Sequence, residues 1–264
     1  MENLMMIDIK PIKDMKDFKK ISEIQKSAWG FSDRDIEPHQ LMTRVQKYGG
    51  LVQGLYLNGE LAGFTYAILA MWKGKYFIYS HMTGVRKEDQ KKGYGFLLKK
   101  AQRKEVLNMG YDVIRWNFDP LESMNAFFNI HRLGIISVEY ERDIYGTGES
   151  GLHKGLSTDR LIATWNLNSD RVIDKMNGKD LPIIEQVPDK TLEDFSQKTA
   201  YIEIPRDIRS LKKTDIDKAI EWRMKTRRHF EAAFQSRYIV TDIVFSEDNK
   251  RIFYKLYKSK MDKG

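Results

Sequence analysis

The 264-residue sequence contains no cysteine, and this absence excludes several kinds of protein. A disulfide scaffold, a thiolate nucleophile and a cysteine-ligated zinc site all need residues that the chain lacks. No apolar run is long enough to span a bilayer, and the segment Met1 to Asp8 lacks the basic-then-apolar pattern of a secretory signal. We therefore expect a soluble, cytoplasmic protein with no membrane segment.

Two common catalytic patterns are also missing. The histidines at positions 39, 131, 153 and 229 are not at metal-ligand spacing, so we expect no metal site. Ser80 is not part of a Gly-x-Ser-x-Gly elbow, which argues against a serine hydrolase.

Positive charge is in excess. The chain has 45 Lys and Arg against 37 Asp and Glu, a net charge of +8. Such a charge suits an anionic small ligand and also suits nucleic acid. The basic residues are scattered among acidic ones, which is more typical of a solvated surface. We therefore expect an anionic ligand and consider a nucleic-acid partner unlikely.

The most informative stretch is a predicted strand followed by a glycine-containing turn and a helix. The strand covers Tyr76 to Val85, the polar turn Arg86 to Lys92, and Gly93 and Gly95 open the helix. Glycine allows the backbone to approach a ligand closely. The first amides of a helix lack intrahelical partners and, with the helix dipole, favour an anion. This stretch therefore predicts a phosphate-binding turn, although a plain strand–helix turn would also use glycine.

Two well-known phosphate motifs do not fit this turn. Leu98 stands where the dinucleotide fingerprint needs its third glycine. A P-loop would need Lys followed by Ser or Thr after its second glycine, whereas Phe96 and Leu97 follow Gly95. The ligand is therefore expected to be held by another kind of turn.

The surrounding elements indicate a mixed α/β fold. Before the motif, the sequence predicts a strand, two helices and three consecutive strands, with a tight Asn58-Gly59 hairpin turn between the first two of those three. After the motif helix, the apolar segment Asp112 to Phe118 predicts a strand parallel to Tyr76 to Val85 through a right-handed crossover.

The motif Gln90-Lys91-Lys92-Gly93-Tyr94-Gly95 resembles the Gln/Arg-x-x-Gly-x-Gly/Ala signature of the GNAT acyltransferase superfamily. The chain also resembles a little-characterised group of predicted acyltransferases in that superfamily. The other residues that carry the resemblance are Ser80-His81-Met82, Trp116 to Leu121, Asn125-Ala126, Leu133-Gly134, Tyr145-Gly146, Thr158-Asp159-Arg160-Leu161 and Ala219 to Phe230.

The resemblance implies a GNAT-like α/β (α+β) fold. Its sheet would be mixed and mostly antiparallel, with a central parallel pair of strands that splay apart and with flanking helices. The first helices would help to form an acceptor pocket. We predict a GNAT-like acyl-CoA-binding domain at residues 1–167, a polar connector at 168–200 with at most a short strand at Leu181 to Ile184, and a C-terminal α/β extension at 201–264.

That extension should contain one strand, one helix and two further strands. Their predicted ranges are Tyr201 to Ile204, Thr214 to Arg237, Tyr238 to Phe245 and Ile252 to Leu256. The basic run Arg223 to Arg228 alternates with apolar positions, so we expect it on the outer face of the helix.

The resemblance also implies acetyl-CoA or another acyl-CoA as co-substrate. Its pyrophosphate would lie on the turn and its pantetheine arm in the splayed gap. The acceptor would be an amine or hydroxyl of a small molecule or peptide, and the protein a monomer or homodimer. The residues predicted to bind the coenzyme are Thr83, Gly84, Val85, Gln90, Lys91, Lys92, Gly93, Tyr94, Gly95, Phe96 and Asn125, although a helix cap is the favoured alternative for Asn125.

Two residues are candidate catalysts. His81 lies mid-strand, on the face of Tyr79 and Thr83 by two-residue alternation, and its imidazole could accept a proton from the acceptor. It could equally be a half-buried structural histidine. Tyr145 could protonate the departing thiolate, or it could be a surface tyrosine. Asp119 could orient His81, bind an amine, or only shape the turn before Pro120.

One position departs from the superfamily pattern. Many GNAT enzymes have a tyrosine that protonates the thiolate, a few residues before a Gly-Phe pair, and here that position holds Ile130. A thiol titrates near pH 8.5, so its anion can leave without that acid. The sequence therefore predicts an acyltransferase, with a non-catalytic acyl-CoA-binding or interaction protein as the alternative.

Overall fold

The Asn58-Gly59 turn joins two antiparallel strands, β2 (Leu51–Leu57) and β3 (Glu60–Trp72). In this computed structural model, which describes residues 5–146, 155–179, 183–185, 187 and 197–259, φ is 48° at Asn58 and 86° at Gly59. Positive φ at both central residues is the geometry that tight hairpins favour. The turn residues therefore fix the hairpin as the sequence predicts.

Contacts divide the chain into two units, residues 1–116 and 117–264. The boundaries predicted at residues 167 and 200 stay a prediction. The other elements that begin in the first unit are β1 (Ile7–Pro11), α1 (Met15–Trp29), α2 (His39–Lys47), β4 (Lys75–Val85), a 3₁₀ turn (Lys87–Asp89), α3 (Tyr94–Asn108) and β5 (Val113–Phe118).

The sheet of the first unit has the strand order β1-β2-β3-β4-β5. Strands β1 to β4 are antiparallel to their neighbours, and β4 and β5 are parallel. The strand–helix–strand crossover through α3 therefore has the predicted direction. This mixed, mostly antiparallel sheet with one central parallel pair confirms the predicted fold class.

Helices cover both faces of this sheet. On one face, α1 and α2 bury Phe18, Ile21, Ile24 and Met42 together with the sheet residue Tyr66. On the other face, α3 packs Tyr94 and Leu98 against strand residues that include Leu55, Ala62 and Val85. Apolar residues at helical spacing on α1 and α3 thus meet alternate residues of the strands.

The second unit has two strand groups. Its elements are α4 (Ser123–Ala126), which continues as a π-helix (Phe127–Arg132), β6 (Tyr140–Glu141), β7 (Arg160–Asn166), α5 (Asp170–Met176), β8 (Thr199–Ile204), α6 (Ile208–Thr214), α7 (Ile216–Gln235), β9 (Tyr238–Phe245) and β10 (Ile252–Lys258). Strands β6 and β7 pair antiparallel, and β8, β10 and β9 form an antiparallel sheet in that order. The predicted terminal pair, β9 and β10, is confirmed.

Two helices were not predicted. The long helix expected over Thr214 to Arg237 is preceded by α6, and Asp215 separates the two helices. Side chains of Asp207 and Asp215 each accept a hydrogen bond from the first turn of a helix, so each is an N-cap. The predicted connector also contains α5, so the expectation of at most one short strand there was wrong.

Residues 135–140 form no continuous strand, because only single bridges precede β6. Glu122 is the N-cap residue of α4, so the expectation that Asn125 could cap this helix was wrong. The short strand predicted at Leu181 to Ile184 lies partly outside the described residues, although Ile184 bridges to Phe245.

Candidate functional site

The turn before α3 has an unusual backbone conformation. Lys91 has φ 64° and Gly93 has φ 86°, so two left-handed residues flank Lys92. Gly93 is the N-cap of α3. Left-handed residues in such a turn bring successive N–H groups into one concave surface, a common anion-binding arrangement. The turn therefore has the geometry that the glycine motif predicts.

Backbone amides at this turn are not used by the rest of the described chain. Phe96 and Leu97 both donate to the carbonyl oxygen of Gly93, at 3.0 and 3.2 Å. Among the residues that the structure describes, none accepts a hydrogen bond from the amides of residues 91–95. These five amides are thus available to a ligand, whereas the amide of Phe96 is already occupied.

Side chains hold this turn in place. Buried Asp89 accepts hydrogen bonds from Arg86 and from Lys92 Nζ, the latter at 2.8 Å. Burial opposes the ionised form of Asp89, but the hydrogen bonds from Lys92 and Arg86 outweigh it and lower the pKa of the carboxyl. Gln90 Nε2 donates to the carbonyl oxygen of Val85 at 3.0 Å. Gln90 and Lys92 therefore have structural partners in the turn.

The two parallel strands separate beyond a short paired segment. Strand β4 pairs with β5 at Ile78 with Ile114 and at Tyr79 with Arg115. Beyond Tyr79, β4 continues to Val85 and pairs with β3 on its other edge. Thr83, Gly84 and Val85 lie in this last part of β4, directly before the turn. The predicted splay is thus present in the strand pairing.

A β-bulge at His81 alters the faces of β4. Ser80 pairs with Ala67 and Met82 pairs with Tyr66, so His81 is the extra residue. A bulge re-aims side chains and changes the alternation beyond it. Thr83 Oγ1 lies 3.1 Å from Thr65 Oγ1, on the α3 face, whereas the ring of His81 packs against Tyr66 on the opposite face. The predicted common face of His81 and Thr83 was therefore wrong.

The carboxylate beside His81 is Glu37, from the segment between α1 and α2. His81 Nε2 lies 3.0 Å from Glu37 Oε1, and the side chains are 30% and 28% exposed, so both can be reached from solvent. Tyr66 stands edge-on to the imidazole at 5.5 Å. Burial, with a smaller contribution from Glu37, raises the pKa of Tyr66 to about 12. Sequence reasoning missed Glu37, because no local pattern links positions 44 residues apart.

Two arginines of the basic run on α7 pair with acidic residues of the second unit. Arg223 Nη2 donates to Asp119 Oδ2 at 2.7 Å, and Arg223 is only 1% exposed. Arg227 donates through two nitrogens to buried Asp159. Both arginines thus point inward, and their predicted position on the outer face of the helix was wrong. Asp119 therefore has a structural partner, Arg223, within its own unit.

The other predicted site residues also lie in the second unit. Tyr145 is 59% exposed, and its hydroxyl lies 3.0 Å from Asn117 Nδ2. Asn125 lies inside α4, and its Oδ1 accepts from Asn129 Nδ2 at 3.4 Å. Ile130 is fully buried. The coenzyme and catalytic roles predicted for Asn125 and Tyr145 stay predictions.

Across residues 5–259, apart from the undescribed gaps, no three His, Asp or Glu side chains gather in a way that could hold a metal ion. In the same part of the chain, no helix combines the length and the apolar character needed to cross a bilayer.

Solved structures with a similar fold are acetyltransferases. The ribosomal-protein-S18-alanine N-acetyltransferase of Escherichia coli is 16% identical with a TM-score of 0.50, over 62% of this chain and 96% of that chain. A proposed GNAT-family acetyltransferase of Desulfovibrio desulfuricans is 13% identical with the same TM-score, over 61% and 99%. A third is yncA of Salmonella typhimurium, a proposed acetyltransferase solved with acetyl-CoA, at 18% identity and a TM-score of 0.50, over 62% and 95%.

These likenesses show the fold. The chain has the fold of the GNAT acetyltransferases, as the sequence predicts. No protein-family model matches the sequence, and no curated protein matches it.

Proposed function

We propose that the protein is an acyltransferase that moves an acetyl or other acyl group from acyl-CoA to an amine or hydroxyl of an acceptor. The observation that carries this proposal is the run of amides at residues 91–95, which have no acceptor in the described chain and open a 15-residue helix. The GNAT fold and the acetyl-CoA bound to yncA of Salmonella typhimurium support it.

The diphosphate of coenzyme A suits this turn on physical grounds. An anion there would accept hydrogen bonds from several amides and would interact favourably with the N-terminal end of the α3 dipole. Lys91 would add positive charge. The pantetheine arm would lie along Thr83, Gly84 and Val85, where β4 has separated from β5.

The proposed chemistry is direct transfer. The acceptor nitrogen or oxygen attacks the thioester carbonyl carbon and loses its proton to His81, directly or through one water. The carbon–sulfur bond then breaks, and coenzyme A leaves as a thiolate that takes up a proton. No cysteine is present to carry a covalent acyl group. Tyr145 is the proposed proton donor to the thiolate, and Asn125 a further coenzyme contact.

A second candidate function is acyl-CoA binding without turnover. Ile130 occupies the position of the usual tyrosine acid, and it is an apolar, fully buried residue. This candidate predicts affinity for coenzyme A thioesters but no thiol release with any acceptor. Both candidate functions therefore predict acyl-CoA binding, and only the acyltransferase predicts turnover.

Calorimetric titration with acetyl-CoA tests the shared binding step. Gly93→Asp should abolish binding, because its carboxylate would face the phosphates, and aspartate tolerates the left-handed conformation better than most residues. Gly59→Asp is the matched control, since Gly59 has the same φ of 86° and an equally open surrounding. Equal loss in both variants, or no binding of acetyl-CoA and longer acyl-CoAs by the unmodified protein, contradicts the proposal.

Turnover is tested by thiol release from several acyl-CoAs in the presence of pooled amines, peptides and hydroxyl compounds, with products identified by mass spectrometry. A product heavier by one acyl group supports the acyltransferase. Binding without any product favours the non-catalytic alternative.

A further inference from the structure

We propose that Glu37 is a positioning residue that keeps His81 in its Nε2–H tautomer and leaves Nδ1 as the proton-accepting atom, with Gln25 fixing Glu37 in place. This inference deepens the proposed function and rests on it. It assigns roles to two residues that no sequence pattern indicates, and it names the reacting nitrogen.

The hydrogen bond determines the tautomer. An ionised carboxylate can only accept hydrogen bonds, so the 3.0 Å contact between Glu37 Oε1 and His81 Nε2 places a proton on Nε2. In a neutral imidazole the other nitrogen then carries the available lone pair. Within the described residues, His81 Nδ1 has no hydrogen-bond partner. It is therefore the nitrogen left to accept a proton from an acceptor or water.

The oxygen and the nitrogen of the Gln25 side-chain amide both form hydrogen bonds with the backbone of Glu37. The N–H of Glu37 donates to Gln25 Oε1 at 2.9 Å, and Gln25 Nε2 donates to the carbonyl oxygen of Glu37 at 3.2 Å. Gln25 lies on α1 and is fully buried. A buried polar side chain needs its hydrogen bonds, and both of these go to one residue of a connecting segment. These two hydrogen bonds therefore fix the backbone position from which the Glu37 carboxylate reaches His81.

The β-bulge and the ring of Tyr66 also restrict the orientation of the His81 imidazole. The bulge aims His81 toward the face that carries α1 and α2, and Tyr66 packs edge-on against its ring with an interplanar angle of 90°. Such constraints limit the orientations from which Nδ1 can meet a substrate. When Nδ1 accepts a proton, the resulting imidazolium already faces a carboxylate, which stabilises the charge that the reaction creates.

Kinetics test the role of Glu37. Glu37→Gln should lower kcat about 10- to 100-fold, as loss of a carboxylate partner of a functional histidine commonly does, and leave the acetyl-CoA KM nearly unchanged. Exposed Glu23 on α1 provides the matched control, and Glu23→Gln should leave both parameters unchanged. Gln25→Leu retains the side chains of His81 and Glu37, so it should lower kcat by less than Glu37→Gln does.

A double variant separates positioning from a structural effect. If Glu37 acts through His81, adding Glu37→Gln to His81→Ala should cause no further fall in kcat, because interacting sites are non-additive. A full additional 10- to 100-fold fall in the double variant overturns the inference.

An NMR measurement on the ligand-free protein does not depend on turnover. With ¹⁵N-labelled histidine at a pH where His81 is neutral, Nε2 should carry the proton and Nδ1 should show the shift of an unprotonated nitrogen. A glutamine at position 37 can offer either its carbonyl or its amide, so Glu37→Gln should populate both tautomers. Protonated Nδ1 in the unmodified protein overturns the inference even if acyl transfer is found. The predicted tautomer in a protein without turnover would instead count against the proposed function alone.

Discussion

Lys99 and Ser80 form a hydrogen bond inside the first unit, with Lys99 Nζ 2.7 Å from Ser80 Oγ. The amine also donates to Gln102 Oε1 at 3.0 Å and lies 3.9 Å from the centre of the Trp116 ring. Both hydrogen-bond partners are neutral, and Lys99 is only 4% exposed. Burial without a carboxylate partner lowers the pKa of Lys99 to about 7.

Lys99 should make the stability of the fold depend on pH. An unfolded chain binds the Lys99 proton up to about pH 10.5, whereas the folded protein loses it near pH 7. The unfolded state thus holds more protons between these values, so the free energy of unfolding should rise with pH there, by up to about 1.4 kcal/mol per pH unit. Urea denaturation from pH 7 to pH 9 measures the slope.

Substitution of Lys99 isolates its contribution to the pH dependence of the free energy of unfolding. Lys99→Met should flatten the slope between pH 7 and pH 9, since methionine can occupy the space without titrating. Lys100→Met, at an exposed neighbouring position of α3, should keep it. An unchanged slope in Lys99→Met would show that Lys99 is charged in the folded protein at these pH values.

Gly84 is close-packed against Trp29. A Cβ at position 84 would lie 2.7 Å from Cη2 of Trp29 and 3.2 Å from Cε1 of Phe64. We expect Gly84→Ala to lower the free energy of unfolding by about 1–3 kcal/mol through this overpacking. In a Trp29→Leu background the cost of Gly84→Ala should shrink, because the obstructing ring is absent. Urea denaturation of the four proteins gives both values, and an equal cost in both backgrounds would contradict the steric explanation.

Local patterns predicted most of the first unit because its helices and strands have recognisable start and stop signals in the sequence. The apolar positions of α1 recur at helical intervals up to Trp29, and Gly30 ends the helix with φ 70°. The unpredicted α6 also has a local signal, since Asp207 and Asp215 are two N-caps eight positions apart. Reading both caps would have indicated two helices.

The candidate site was only partly predictable, for a physical reason. The turn that we propose to bind phosphate is continuous in sequence, so its glycines and lysines indicate it. Glu37 and His81 meet only through the tertiary packing of α1 and α2 on the sheet, and Asp119 and Arg223 are 104 positions apart. The bulge at His81 also changes the alternation of β4, which a regular two-residue period cannot reveal.

Asp159 should be a major source of acid-sensitive stability. This buried carboxylate accepts two hydrogen bonds of 2.7 Å from Arg227 and one of 2.6 Å from Tyr140. Burial opposes ionisation, but the hydrogen bonds from Arg227, Ser157 and Tyr140 outweigh it and lower the pKa of Asp159. The stabilisation is therefore present above about pH 4 and should be lost as the pH falls toward the lower folded-state value.

Asp159→Asn checks this account. At pH 7 the free energy of unfolding should fall by about 3–5 kcal/mol, because Arg227 loses its carboxylate partner inside the second unit. Guanidinium denaturation at pH 7 and pH 4 should also show a weaker pH dependence than in the unmodified protein. Asp174→Asn, at an ion pair with exposed side chains, is the control. A similar loss in both variants would argue against a special role for Asp159.

Tyr145→Phe tests the proposed proton donor. Removal of the hydroxyl should lower kcat by about 100-fold if it protonates the thiolate, and should leave acetyl-CoA affinity unchanged. Tyr48→Phe, at a tyrosine that is 71% exposed, should have no effect. Unchanged kcat in Tyr145→Phe would leave Tyr145 with its structural contacts to Asn117 and to Arg160, whose guanidinium lies 5.2 Å from the Tyr145 ring.

Lys91 and Lys92 should contribute unequally to coenzyme binding. Lys92 is paired with Asp89, and the hydrogen bond that Lys92 donates to this carboxylate raises the pKa of Lys92, whereas exposed Lys91 has no partner among the described residues. A phosphate can therefore pair with Lys91 without displacing a carboxylate. Lys91→Met should weaken acetyl-CoA binding by about fivefold, or about 1 kcal/mol, and should reduce its salt dependence.

Lys92→Met should instead lower the thermal stability of the fold. It removes one of the cations that neutralise buried Asp89, so the melting temperature should fall while acetyl-CoA affinity, measured well below that temperature, changes less than in Lys91→Met. Calorimetric titration of both variants at two salt concentrations, together with thermal unfolding, separates the two effects. A larger affinity loss in Lys92→Met than in Lys91→Met, with unchanged thermal stability, would mean that Lys92 leaves Asp89 to bind the ligand.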